Sequence, residues 1–253
     1  EIPSKREHTI DVVVPGIGIE YAINESQTVS VGIHKGFAPP GPGTSGVTDK
    51  AVDPETSMNT EIGFKSNKGL NSLEFTLFMN SYDNLLGADT AASGGGSDEL
   101  FNGGAVDISG FELYLRRILV DNGRIQMPLE LAWTNTNSEF QESFDGFWGD
   151  VSKGDELPYL PDTMIALNLG LNVDKISANI SMKKTSEMRT VAGSGSISGS
   201  NATDELTIID LGLRYALQDN IRLSVGINNF MDDDGVVSRL SLIHISEPTR
   251  LNP

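Results

Sequence analysis

Three histidines, His8, His34 and His244, are the only imidazoles in a chain of 253 residues that has no cysteine. None has a second ligand at metal-binding spacing, and without thiolates no structural zinc site is expected. No Gly-x-Ser-x-Gly elbow is present, so the serines offer no activated nucleophile with a base beside it. Met231-Asp232-Asp233-Asp234-Gly235 carries oxygen ligands suited to calcium, but the later loop ligands and the terminal glutamate are missing, so it reads as a solvated loop. These residues predict neither an enzyme nor a cofactor. What remains is binding. One candidate set is charged and alternates with apolar neighbours: His34, Glu61, Glu74, Glu112, Arg116, Glu130 and Arg214. It could line a polar pathway or a docking surface, or simply be the polar side of a sheet. The other set sits in polar loops. Lys50, Lys153 and Arg189 could meet an anionic ligand. Phe144, Phe147 and Trp148 could touch a hydrophobic or sugar ligand, or pack their own loop down. They lie in the most acidic segment, with Glu139, Glu142, Asp145, Asp150, Asp155 and Glu156. That segment could hold a divalent cation, bridge lipopolysaccharide through one, or keep a surface hydrated.

The elements that must position these residues alternate with period two. Val29, Val31, Ile33 and Lys35 interleave with Thr28, Ser30, Gly32 and His34, and Leu73, Phe75, Leu77 and Met79 with Ser72, Glu74, Thr76 and Phe78. Such alternation puts apolar side chains on one face of a strand and polar ones on the other. The spacing predicts ten strands, near 16–23, 28–37, 55–65, 71–84, 106–119, 124–135, 161–173, 176–185, 206–217 and 221–230. Asn24-Glu25-Ser26-Gln27, Asn67-Lys68-Gly69, Asp121-Asn122-Gly123, Asp174-Lys175 and Gln218-Asp219-Asn220 make short turns; Asn-Gly readily supplies the positive φ a tight turn needs. Long loops join the other strand ends, one Pro/Gly-rich from Ala38 and others with the runs Ser93-Gly94-Gly95-Gly96-Ser97 and Gly193-Ser194-Gly195-Ser196. The last run could mark a domain boundary, but the same alternation resumes directly after it. Pro128, inside the sixth strand, lacks a ladder donor and predicts a bulge or a water-satisfied carbonyl. Short turns on one side and long loops on the other are the pattern of a transmembrane antiparallel β-barrel, with periplasmic turns and extracellular loops.

Composition fits that class. The net charge of −17 and the pI near 4.4 exclude the basic face that nucleic-acid binding requires. There is no run of 18 apolar residues for a membrane helix. A slightly negative mean hydropathy does not oppose a barrel, in which only alternate strand residues meet lipid. Glu1 is not an initiator methionine and no signal peptide follows it, so an export signal is expected upstream. Residues 240–250 resemble a translated sequencing-library adapter, which divides the chain into a barrel part, 1–239, and an artefactual tail, 240–253.

His34-Lys35-Gly36-Phe37-Ala38-Pro39-Pro40, Asp53-Pro54-Glu55-Thr56-Ser57, Tyr82-Asp83-Asn84-Leu85, Gly110-Phe111-Glu112, Pro128-Leu129-Glu130-Leu131-Ala132-Trp133-Thr134, Leu157-Pro158-Tyr159-Leu160-Pro161 and Gly226-Ile227-Asn228-Asn229-Phe230-Met231-Asp232 appear in that order. In order and spacing the chain resembles the TonB-dependent outer-membrane receptors, nearest the ferric-dicitrate type, over nearly all of residues 16–239. The resemblance implies a 22-stranded barrel with a plugged lumen, of which about ten strands are present. It implies uptake of a ferric chelate energised by the TonB complex through a plug domain outside these residues. It also implies an outer-membrane setting among lipid and lipopolysaccharide in a Gram-negative bacterium, and a monomer when complete. The present part alone is then expected to transport nothing. The scarcity of loop cations sits poorly with an anionic citrate chelate. A passive porin-like or adhesin barrel and a soluble glycan-binding β-sandwich are the alternatives.

Overall fold

The computed structural model describes residues 11–39, 52–88, 100–146, 149–197 and 199–238. In chain order the strands are β1 (Gly16–Asn24), β2 (Gln27–Ala38), β3 (Glu55–Lys68), β4 (Asn71–Tyr82), β5 (Leu86–Ala88), β6 (Leu100–Asn102), β7 (Val106–Asp121), β8 (Ile125–Phe140), β9 (Phe144–Gly146), β10 (Gly149–Val151), β11 (Thr163–Val173), β12 (Ile176–Thr185), β13 (Leu206–Gln218) and β14 (Ile221–Ile227). Ten of them form one antiparallel sheet in the order β1-β2-β3-β4-β7-β8-β11-β12-β13-β14, so each wall strand pairs with the wall strand before it. The two remaining pairs, β5 with β6 and β9 with β10, are small ribbons within long loops.

Opposed residues of antiparallel neighbours share a face, and the register makes the two faces chemically distinct. Ile19, Val31, Ile62, Leu77 and Phe111 form one apolar row, and Leu115, Leu131, Leu167, Met182 and Ile209 another. The Phe111 ring meets the Trp133 ring edge-on at 4.9 Å on this face. One residue out of phase, Arg116, Glu130, Asn168, Ser181 and Asp210 make a polar row. From Ile125 to Trp133 the apolar side of β8 rises roughly 20 Å, at about 3.3 Å per residue and about 40° of tilt, close to the ~25 Å lipid belt of a barrel. No helix among the described residues is long and apolar enough to cross a membrane, which leaves spanning to the strands.

The polar face is the concave one. A hollow over it is lined by His34, Asn59, Glu61, Phe78, Asn80 and Glu112, drawn from four adjacent strands. Nine glycines lie within wall strands (Gly16, Gly18, Gly32, Gly36, Gly63, Gly110, Gly170, Gly212 and Gly226), and every one falls on this face. Removing Cβ atoms from one face alone lets a sheet bend towards it, as barrel closure demands. At Gly110 an added Cβ would lie 2.9 Å from Phe78 Cζ, and at Gly170 2.8 Å from the Pro128 ring. The glycine opposite Pro128 thus makes room for its pyrrolidine. Of the two expected outcomes, a bulge or a water-satisfied carbonyl, a bulge is present, carried by the neighbouring strand β7. The β7–β8 register shifts between Ile118 and Val120, opposite Pro128 and Met127, and the β8–β11 pairs lapse between Leu129 and Gln126.

Short turns follow their sequence. Gly69 and Gly123 take φ of 62° and 80°, Asp174 takes 50°, and the Asn122 side chain accepts from the Arg124 and Ile125 amides. Three expected ends differ by three residues or more: β3 runs on to Lys68, β8 runs five residues past Asn135 to Phe140, and β14 stops at Ile227. The β8 extension stays in the ladder because Val106–Phe111 of β7 continues beside it, although Asn135, Asn137 and Glu139 have replaced apolar residues on its lipid-side positions. That change marks where the wall leaves the hydrocarbon.

Among the described residues, the buried apolar side chains are Val52, Val106, Phe140, Val151 and Ala202, all at the long-loop end. Among the described residues, no second layer covers the apolar face of the wall: Ile17, Ile19 and Val225 remain 67%, 69% and 66% exposed. A soluble sandwich would cover that face with a second sheet.

Candidate functional site

The concave wall collects one predicted set. His34, Glu61, Glu74, Glu112, Arg116 and Glu130 all point to it, as does Arg214 between Ser177 and Ser224. Strand pairing decides the contacts. Glu74 opposes Lys65 and binds its ammonium at 2.8 Å, and Glu130 opposes Arg116 at 3.5 Å. Both pairs are about half exposed in the open wall, so each contributes little to stability. Glu61 and Glu112 flank the hollow with His34, while Glu74 lines a second hollow with Glu20, Lys65 and Thr76. The wall can therefore hydrogen-bond whatever fills the lumen and present net negative charge to it.

The loop set is arranged otherwise. Phe144 does not point freely to solvent: its ring meets Phe140 edge-on at 5.6 Å beside the fully buried Val106 and Phe140. Leu85, Ile108, Leu157 and Ala192 join this cluster, so three long loops share one small hydrophobic centre. Arg189 is only 9% exposed. Its Nε donates to Glu156 Oε2 at 2.5 Å and a terminal nitrogen donates to the Gly195 carbonyl. Lys153 is exposed, its amide held by Ser143 Oγ. Lys50, Phe147 and Trp148 lie outside the described residues, as do His8, His244 and the 240–253 tail.

Sequence reasoning had no sign of Glu156, Gly193 or Thr203 as partners in this structure. The Glu156 amide donates to the Gly193 carbonyl and the Tyr159 amide to that of Arg189, each at 2.8 Å. Thr203, 1% exposed, accepts from the Met188 amide through Oγ1 and returns its own amide to the Met188 carbonyl. Asp162, at the foot of this network, has its pKa raised. Burial is the main cause, with repulsion from Glu156 and Glu187 added and the nearby Arg189 opposing. The Asp-rich stretch after β14 is a structural turn. Asp233 accepts from the Thr207 and Gly235 amides, and Asn229 holds the Asp233 amide and carbonyl. No group of metal-ligating side chains occurs among the described residues.

A wall with a lipid-facing apolar side, a polar concave side, short turns below and a joined loop rim above defines part of a transmembrane β-barrel. The family model for the TonB dependent receptor-like beta-barrel matches residues 4–230. The chain belongs to that family. No curated protein matches it. Among solved structures it resembles the ferric-catecholate import receptor Fiu of E. coli K12, at 19% identity with a TM-score of 0.66 over 88% of this chain and 31% of that one. It also resembles the ferric yersiniabactin uptake receptor FyuA of Yersinia pestis, at 15% identity and a TM-score of 0.67 over 88% and 33%. The ferric enterobactin receptor PfeA of Pseudomonas aeruginosa is 20% identical with a TM-score of 0.58 over 90% and 36%. At these identities the likeness shows the fold. The chain spans about a third of the length of these receptors.

Proposed function

We propose that this chain is the C-terminal part of the barrel of an outer-membrane receptor that binds a ferric chelate and takes it up with energy delivered through TonB. The supporting observation is the unbroken ten-strand wall, one face apolar and one polar, within a family match over residues 4–230. The rest of the barrel and the plug that contacts TonB lie outside these residues, and residues 240–253 are an adapter-derived tail. The function is binding and passage, not catalysis, and the complete receptor is a monomer embedded in lipid and lipopolysaccharide. Of the loop residues first considered as ligand contacts (Lys50, Phe144, Phe147, Trp148 and Arg189), Arg189 is engaged by Glu156 and so is withdrawn from the ligand, which favours a chelate without strong negative charge over a citrate complex.

The test is uptake of radiolabelled iron by iron-starved cells carrying the complete gene, with a trihydroxamate, a tricatecholate or citrate as chelator. At least one chelate is expected to enter in cells with an intact TonB system and not in cells lacking it. Entry that persists without TonB would identify a passive pore, and no entry of any chelate would reject the iron reading.

A further inference from the structure

The β8–β11 loop (141–162) and the β12–β13 loop (186–205) interlock more closely than independent lids would. An antiparallel bridge joins Glu156 to Gly193. The Arg189 side chain, 10% exposed, spans the seam from one loop to the carboxylate of the other. Beneath it, Leu157 from the first loop and Ala192 from the second pack on the same Val106–Phe140–Val151 centre. The first loop is fastened to the wall as well. The Phe140 amide donates to the Asp155 carbonyl, the Gly154 amide to the Phe140 carbonyl, and the Leu157 amide to Ser138 Oγ. Arg189 is the buried member and Glu156 is 36% exposed, so the guanidinium depends on the Glu156 carboxylate for its counter-charge, and removing the Arg189 side chain takes away the strap that joins the two loops.

We propose that these two loops form one preformed body, latched by Arg189, that stays together while ligand binds. Resting on the receptor reading above, this makes Arg189 a positioning residue: it sets the shape of one side of the mouth without touching the ligand. Any closure over a ligand must then come from other loops moving against this fixed rim.

These 253 residues contain no cysteine, so an engineered pair gives a direct test in the complete receptor once any cysteine elsewhere in it is replaced. Asp155 and Ser194 lie one step along the bridge from Glu156 and Gly193, at cross-strand neighbour spacing. Hydrogen exchange should be slow in both loops of the native protein. In Arg189→Ala it should rise roughly tenfold in both together while β8 stays protected, the behaviour of one cooperative unit. Arg189→Ala should also raise the chelate concentration for half-maximal uptake and leave the maximal rate unchanged. An oxidised Asp155→Cys/Ser194→Cys cross-link should restore that concentration, and reduction should remove the rescue. The same cross-link in the native background should leave uptake intact.

Faster exchange in one loop only would overturn the proposal. So would a native-background cross-link that stops uptake until reduced, since the loops would then have to part. If the native receptor takes up none of the three chelates, the receptor reading fails while the exchange measurement still decides the latch.

Discussion

In the complete barrel, Leu167→Arg is expected to lower stability by about 2–4 kcal/mol, the cost of a lipid-facing cation near the bilayer midplane. Asn168→Arg should change it by less than about 1 kcal/mol, because that position faces water rather than lipid. The two residues are adjacent near the centre of β11, so depth and strand are shared and only the face differs. Leu167 stands between Leu131 and Met182, whereas Asn168 stands between Glu130 and Ser181. An arginine at 168 would also lie beside the Glu130 carboxylate. Urea unfolding of the receptor refolded in lipid vesicles measures both. Equal costs would mean that the faces are assigned wrongly.

The second large effect concerns the two edges. β1 and β14 carry unpaired backbone groups, and every residue in both strands is exposed. Each unsatisfied group in hydrocarbon costs several kcal/mol, and roughly five per edge brings the penalty to tens of kcal/mol. A domain's net stability is only about 5–15 kcal/mol. The chain refolded alone into vesicles should therefore give no heat-resistant, compact band on electrophoresis. Supplying the remaining wall strands as a second polypeptide should produce one. A stable monomeric species from this chain alone would require another way of satisfying both edges.

The wall was legible in the sequence because a lipid face and a water face impose a period of two that no other element shares. All ten wall strands were readable from it, and Pro128 marked where the ladder is irregular. The limit of β8 was not: past Asn135 the lipid-side positions turn polar while Thr136, Ser138 and Phe140 on the other face are buried, so the apolar-polar alternation ends while the hydrogen-bonded ladder continues. The β5–β6 and β9–β10 ribbons left no periodic trace, being three residues long on each side. Nor could loop chemistry be read. Arg189 and Phe144 have the types and setting of ligand contacts, yet Arg189 is bound to Glu156, 33 positions away, and Phe144 packs on Phe140. Such partners are chosen by tertiary packing and have no signal at fixed spacing. One signal was present and not used. The strand glycines keep phase with the polar residues, and that alone marks the concave face.

In the proposed receptor, the short turns and the long loops lie on opposite sides of an outer membrane. Cysteine labelling with a bulky membrane-impermeant maleimide measures this directly: these residues contribute no background, and any cysteine elsewhere in the receptor is replaced first. Lys153→Cys, on the exposed surface of the β8–β11 loop, should react in intact cells. Asn122→Cys, in the turn between β7 and β8, should react only after the outer membrane is permeabilised. Labelling of Asn122→Cys from outside, or equal labelling of both positions before permeabilisation, would contradict the receptor wall described above.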